Sequence, residues 1–195
     1  MDVKTFARTL LAALALLCGL LPATALAQKC GDWTWNPFAD NCNRLTYTYR
    51  NGKNELLVSG YSWHLPFTWT PEKRAELNAN AWGAGWARTY DEGDGDSHSV
   101  FVLGFSDSHK HLQAQVGYAY TRYWGSRDKL QGGLGYAAMI VQRPDIFNGI
   151  PFPAVLPIGA LRSGNLTLNG SFIPTLNGGI NHGSTLYIFG RYTFD

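Results

Sequence analysis

The chain has 195 residues, enough for one domain with a full hydrophobic core. The first 27 residues, which we interpret below as an export signal, contain Lys4, Arg8 and Asp2. Without them the chain has 14 basic and 13 acidic residues and is almost neutral. This balance excludes nucleic acid as an expected partner, because phosphate binding needs a clear basic excess.

Residues 1–27 have the pattern of a secretory signal peptide. Lys4 and Arg8 form a basic start, the apolar run from Leu10 to Leu21 is too short to span a membrane, and Ala25-Leu26-Ala27 supplies small residues for cleavage. We therefore predict export from a bacterial cytoplasm. Beyond this segment no run approaches about 18 apolar residues, so the sequence predicts no transmembrane helix, although transmembrane strands remain compatible with it.

Residues 28–53 form a separate N-terminal segment. Its cysteines, Cys30 and Cys42, predict a disulfide in an exported chain; zinc is the alternative, but no histidine lies near them in sequence. Residues 40–50 predict a short amphipathic helix that ends at Asn51-Gly52. Its aromatic neighbours suit either a membrane interface or the surface cap of a soluble barrel, and the sequence does not separate the two.

Residues 54–195 predict an all-β domain without helical segments. Strand-like runs lie at 55–64, 82–91, 98–106, 113–123, 129–141, 154–162, 165–173 and 184–194. Short turns near 92–95, 125–127 and 163–164 alternate with long connections near 65–81, 107–112, 142–153 and 174–183. This alternation predicts an eight-stranded antiparallel transmembrane β-barrel, whose interior has room for side chains or one slender ligand.

The last run predicts which face of the wall is outside. Leu186, Ile188, Gly190 and Tyr192 share one face, which we expect to contact lipid. Arg191 then points inwards, where a buried partner or water must satisfy its charge.

Side chains suited to acid–base or acyl chemistry lie where two runs reach long connections. His64 ends the first run, and Asp107 with Ser108 follows the third. Residues of these types are also common caps and turn formers, so their spacing alone does not establish a catalytic site. His109 and His111 suggest a metal pair, but the sequence shows no flanking carboxylate ligands of obvious geometry, and we predict neither metal nor cofactor.

Several motifs between residues 54 and 194 resemble the PagP family, the outer-membrane lipid A palmitoyltransferases. The matching motifs are Gly60-Tyr-Ser-Trp-His64, Ala81-Trp-Gly-Ala-Gly85, Asp107-Ser108, Val116-Gly-Tyr118, Ile150-Pro-Phe-Pro-Ala-Val-Leu-Pro157, Phe172-Ile-Pro174 and Gly190-Arg-Tyr-Thr-Phe194. None of these motifs is decisive, but together they follow the family's order and spacing across most of the chain.

The resemblance implies an eight-stranded barrel in the bacterial outer membrane that holds one acyl chain. The implied reaction moves a palmitoyl group from the sn-1 position of a phospholipid to a hydroxyl of lipid A, a change associated with resistance to cationic antimicrobial peptides. His64, Asp107 and Ser108 match the family's essential residues. We expect His64 to act as general base, Asp107 to orient or stabilise charge, and Ser108 to bind the oxyanion or carry the acyl group.

The resemblance also concerns substrate access. Pro157 and Pro174 match prolines at a lateral gate for phospholipid, whereas Ser59 and Ala81 replace the prolines of a second gate. Ala119 replaces a glycine at the floor of the acyl pocket, so we expect palmitate or slightly shorter chains. We expect a monomer. The alternatives are a non-enzymatic barrel, such as an adhesin, and a soluble lipocalin-like carrier with a polar outer face.

Overall fold

The computed structural model describes residues 36–93, 95–126, 128–176 and 181–195. The predicted signal peptide and Cys30 lie outside these residues, so the segment boundaries and the Cys30–Cys42 pairing stay predictions. Cys42 itself is disulfide-bonded. Among the described residues, no helix is both long and apolar enough to cross a membrane.

The predicted N-terminal helix is present and begins earlier than expected. Helix α1 spans Asn36–Asn51. The Gly52 amide donates to the Thr48 carbonyl oxygen at 2.9 Å, and a Cβ at position 52 would lie 2.5 Å from that oxygen. A glycine is therefore needed where the helix ends and the first strand begins.

Eight strands of the described residues form a closed antiparallel barrel in which each strand pairs with its neighbours in sequence. They are β1 (Lys53–His64), β2 (Asn80–Asp91), β3 (Asp96–Ser106), β4 (Leu112–Gly125), β5 (Gln131–Gln142), β6 (Phe152–Ser163), β7 (Leu166–Ile173) and β8 (Thr185–Thr193). Each overlaps one predicted run, so the eight-stranded barrel is confirmed. The long connections 65–79, 107–111, 143–151 and 174–184 share one end, the loop end, and the short turns share the opposite turn end.

The expectation of no helix after Gly52 is wrong. Helix α2 (Pro71–Glu76) lies in the first long connection, and a 3₁₀ turn (Phe147–Gly149) lies in the third. The α2 start has a proline in its first turn, and the Lys73 amide donates to the Thr70 hydroxyl at 3.4 Å. Six residues are too few to give a helical periodicity that sequence analysis can recognise.

The outer surface of the barrel is apolar. Tyr192 is exposed and Arg191 is buried, so the assignment of faces in the last strand is confirmed. Further outward side chains are half or more exposed and apolar, including Val58, Leu134, Val155, Leu166 and Leu168. A soluble lipocalin-like carrier needs a polar outer face, and this surface argues against that alternative.

A buried polar network fills the barrel towards the turn end. Arg191 donates to Glu55 Oε2 through Nε at 2.8 Å and through Nη2, and Nη2 also donates to Ser99 Oγ at 2.8 Å. Arg162 donates to Asp91 at 2.9 Å, and its guanidinium lies 3.7 Å from the centre of the Tyr123 ring. The charges of Glu55, Arg191, Arg162 and Asp91 are thus paired within this network, which their removal from water requires.

Candidate functional site

His64 and Ser108 lie within hydrogen-bonding distance at the loop end. His64 is the last residue of β1, and its Nε2 lies 2.9 Å from Ser108 Oγ, just beyond the end of β3. The Trp69 ring packs edge-on against the imidazole, with 5.6 Å between ring centres, and the Trp69 indole N–H donates to the Ser184 carbonyl at 3.0 Å. The imidazole is therefore buried against a fixed aromatic wall.

Asp107 fixes the turn that carries Ser108. Its Oδ1 accepts the amides of His109 at 2.9 Å and His111 at 2.7 Å, and its own amide donates to the His111 carbonyl at 2.8 Å. Lys110, within this turn, has a φ of 65°. None of the hydrogen bonds of Asp107 in the described structure goes to His64, so its carboxylate holds the turn rather than the imidazole.

A polar pocket surrounds the His64–Ser108 pair and adjoins an apolar cavity inside the barrel. The polar pocket measures about 70 Å³ and is lined by His64, Asp107 and Ser108 among others. The apolar cavity is the larger of these two spaces and is lined mainly by aliphatic and aromatic side chains. Phe105, Arg143 and Tyr187 line both, so the two spaces are direct neighbours.

Ala119 is one of the small residues that line the apolar cavity. It is buried, lines the cavity, and pairs with Ser99 on β3 and Ala137 on β5. Because Ser99 accepts a hydrogen bond from Arg191, the polar network begins at the level of Ala119. The cavity lining includes Ser99 and Arg191, so it reaches this network.

The wall between β6 and β7 is incomplete near the loop end. Their ladder runs only from Ile158–Ser171 to Ser163–Leu166, the shortest ladder in the described barrel. Pro157 is the next residue on β6, and Pro174 follows the last residue of β7. Proline supplies no ladder N–H, which explains why pairing stops here. We call this unpaired stretch the β6–β7 opening.

Ser59 and Ala81 lie at an irregularity between β1 and β2. The register shifts between Ser59 and Tyr61, towards both β2 and β8. The Ser59 hydroxyl donates to the Ala81 carbonyl and accepts a hydrogen bond from Tyr187 at 2.5 Å. Ser59 and Ala81 stand where prolines were expected for a second gate. Regular backbone pairing between β1 and β2 is nevertheless interrupted here, and the hydrogen bond from the Ser59 side chain links the two strands at the interruption.

Two residues beside the site, Arg143 and Asp145, were not predicted from the sequence. Arg143 donates to both oxygens of Asp145, at 3.1 and 2.7 Å, and His109 Nδ1 lies 3.4 Å from Asp145 Oδ2. His111 Nδ1 lies 3.9 Å from Asp107 Oδ2. No flanking carboxylate ligands of obvious geometry were expected for the two histidines, but in the structure a carboxylate lies near each of them. Asp145 is too distant in sequence for its spacing to reveal this.

Comparisons with known proteins agree with this architecture. Residues 44–191 match the family model described as "Antimicrobial peptide resistance and lipid A acylation protein PagP". A relative from Legionella longbeachae named "Lipid A acyltransferase PagP" is 34% identical over 89% of this chain and 74% of its own length. A relative of the same name from Bordetella parapertussis is 34% identical over 93% and 97% of the two chains. The chain belongs to the PagP family.

Proposed function

We propose that this chain is a lipid A acyltransferase of the outer membrane that confers resistance to antimicrobial peptides. The observation that carries the proposal is that the apolar cavity lies next to the pocket of the His64–Ser108 pair and shares lining residues with it. An acyl chain inside the cavity would present its ester carbonyl in the polar pocket. Its family membership and the names of its relatives support the same reaction.

The finer proposal is transfer of palmitate from the sn-1 ester of a phospholipid to a hydroxyl of lipid A. The bond from the acyl carbonyl carbon to the glycerol oxygen breaks, and a bond to the lipid A oxygen forms. His64 accepts the proton of the acceptor hydroxyl and returns it to the glycerol oxygen. Ser108 donates a hydrogen bond to the carbonyl oxygen as it gains negative charge. Asp107 positions Ser108 by holding the turn.

The acyl-serine route is the alternative within the same site, since a histidine 2.9 Å from a hydroxyl can also activate a nucleophile. Mass spectrometry of the protein after rapid quenching in acid separates the two routes. A protein mass increased by one acyl group supports the acyl-serine. An unmodified protein during rapid turnover supports direct transfer.

The outer membrane as location and a phospholipid as donor are supported by the surface. Exposed apolar side chains surround the barrel, as lipid-facing strands require. The β6–β7 opening offers a sideways route from lipid to the apolar cavity. We propose a monomer, because the strands close into a barrel within a single chain.

Mass spectrometry of lipid A from producing cells tests the function. We expect the native chain to add one palmitoyl mass, and Ser108→Ala to lower this product by roughly 100-fold or more. Ser163→Ala is the matched control, because Ser163 is an exposed serine at the opposite end of the barrel. An unmodified lipid A from cells with correctly inserted native protein would support the non-enzymatic barrel instead.

A further inference from the structure

We propose that Asp107, His109 and Asp145 form a binding site for a divalent transition-metal ion, with Zn²⁺ as the best fit, and that a bound ion inhibits the enzyme. The inhibition rests on the proposed function, whereas ion binding does not. One ligand atom from each of the three residues lies within 4.8 Å of the others.

The independent observation is the buried carboxylate of Asp107. Its side chain is 2% exposed, and its Oδ2 has no hydrogen-bond partner in the described structure. An unsatisfied buried carboxylate oxygen is costly, and its cost is removed by a cation. Oδ1 is already occupied by the turn amides, so Oδ2 is the atom available for an ion.

Closing the site needs only small side-chain movements. Zinc ligands at about 2.1 Å in a tetrahedron lie roughly 3.4 Å from one another. His109 Nδ1 and Asp145 Oδ2 are already 3.4 Å apart, and both side chains are at least partly accessible. They can therefore rotate towards the fixed Asp107, and the nearby His111 can supply a fourth ligand.

The ligand chemistry selects the type of ion. One imidazole nitrogen and two carboxylate oxygens suit Zn²⁺ better than Ca²⁺ or Mg²⁺, which prefer sites made of oxygen alone. Arg143 is a competitor, because it donates to both oxygens of Asp145. Removing its charge, as in Arg143→Gln, should therefore strengthen zinc binding.

Inhibition follows from the position of Asp107. It lines the polar pocket together with His64 and Ser108. A bound ion would neutralise its carboxylate and occupy space in the pocket where the donor ester and the acceptor hydroxyl have to meet.

The first test is calorimetric titration of the purified, folded protein in detergent with ZnCl₂, after removal of metal by a chelator. We expect one bound ion per chain and an affinity reduced by roughly tenfold or more in His109→Ala and in Asp145→Asn. His182→Ala is the matched control, an exposed histidine at the same end of the barrel, and should bind as the native chain does. Ser108→Ala, although inactive, should also bind zinc.

The second test measures palmitoyl transfer with zinc, relative to the activity of each protein in chelator. Saturating zinc should lower native activity by roughly tenfold or more, and the same concentration should have little effect on His109→Ala. Absence of stoichiometric binding, or binding unchanged in both ligand variants, overturns the site. Binding without inhibition overturns the regulatory part. If the native protein is inactive in chelator, the proposed function is refuted. The calorimetric titration then still tests the zinc site, because it does not depend on activity.

Discussion

The size of the side chain at position 119 should set the length of the transferred acyl chain. Ala119→Met adds bulk to the lining of the apolar cavity, where Ala119 lies between Ser99 and Ala137 and is expected to form the cavity floor. If the new side chain excludes two methylenes of the acyl chain, at about 0.8 kcal/mol each, palmitate loses about 1.6 kcal/mol relative to myristate. The ratio of palmitoyl to myristoyl transfer should therefore fall by about 15-fold.

The assay supplies palmitoyl and myristoyl phospholipids in equal amounts and measures both lipid A products by mass spectrometry. Ala138→Met is the control, because alternation along β5 turns this neighbour of the buried Ala137 to the outer face. It should leave the product ratio unchanged. An unchanged ratio in a folded, active Ala119→Met protein would refute the assignment of the cavity floor.

Three further predictions concern the barrel and its loops. Glu55→Ala leaves the buried Arg191 without its carboxylate partner. The free energy of unfolding, measured in urea titrations, should fall by about 3–5 kcal/mol. A fall below about 1 kcal/mol would contradict the pairing. Burial raises the pKa of Asp145, but the hydrogen bond and charge of Arg143 outweigh this and hold the pKa below its usual range. The loop 143–151 should thus be protected from hydrogen exchange above about pH 4 and lose this protection as acid protonates Asp145. Asp145→Asn should show no such pH dependence. Cysteines introduced at Pro157 and Phe172 should form a disulfide that closes the β6–β7 opening and stops acyl transfer until it is reduced. Activity that persists under oxidation would exclude the opening as the route of phospholipid entry. The control places the two cysteines at Leu161 and Leu168 instead. These outward-facing residues lie opposite each other on the same two strands, nearer the turn end.

The barrel was predictable because its signal is local. Alternation of inward and outward side chains repeats along each strand, and the turns contain glycine and polar residues at regular intervals. The same alternation placed Arg191 inside the barrel, where Glu55 is its partner. Helix α2 was missed because a helix of one and a half turns depends on its cap and its surroundings rather than on a repeating pattern.

The site was predictable only in part, because its contacts join distant segments. His64 and Ser108 are 44 residues apart, and only the resemblance to a family brought them together before the structure did. Asp145 meets His109 because two loops at one end of the barrel fold towards each other. Neither sequence spacing nor periodicity predicts a contact between two loops, so a residue such as Asp145 can be identified only from the structure.

The buried network around Glu55, Arg191 and Arg162 has a consequence for permeability. Its charges are paired side by side across the interior, and Arg191 also lines the apolar cavity. We therefore expect the network to deny ions a continuous aqueous path through the described part of the barrel. Inserted in a planar bilayer under voltage, the protein should be electrically silent, and a cell could produce it in quantity without losing its permeability barrier.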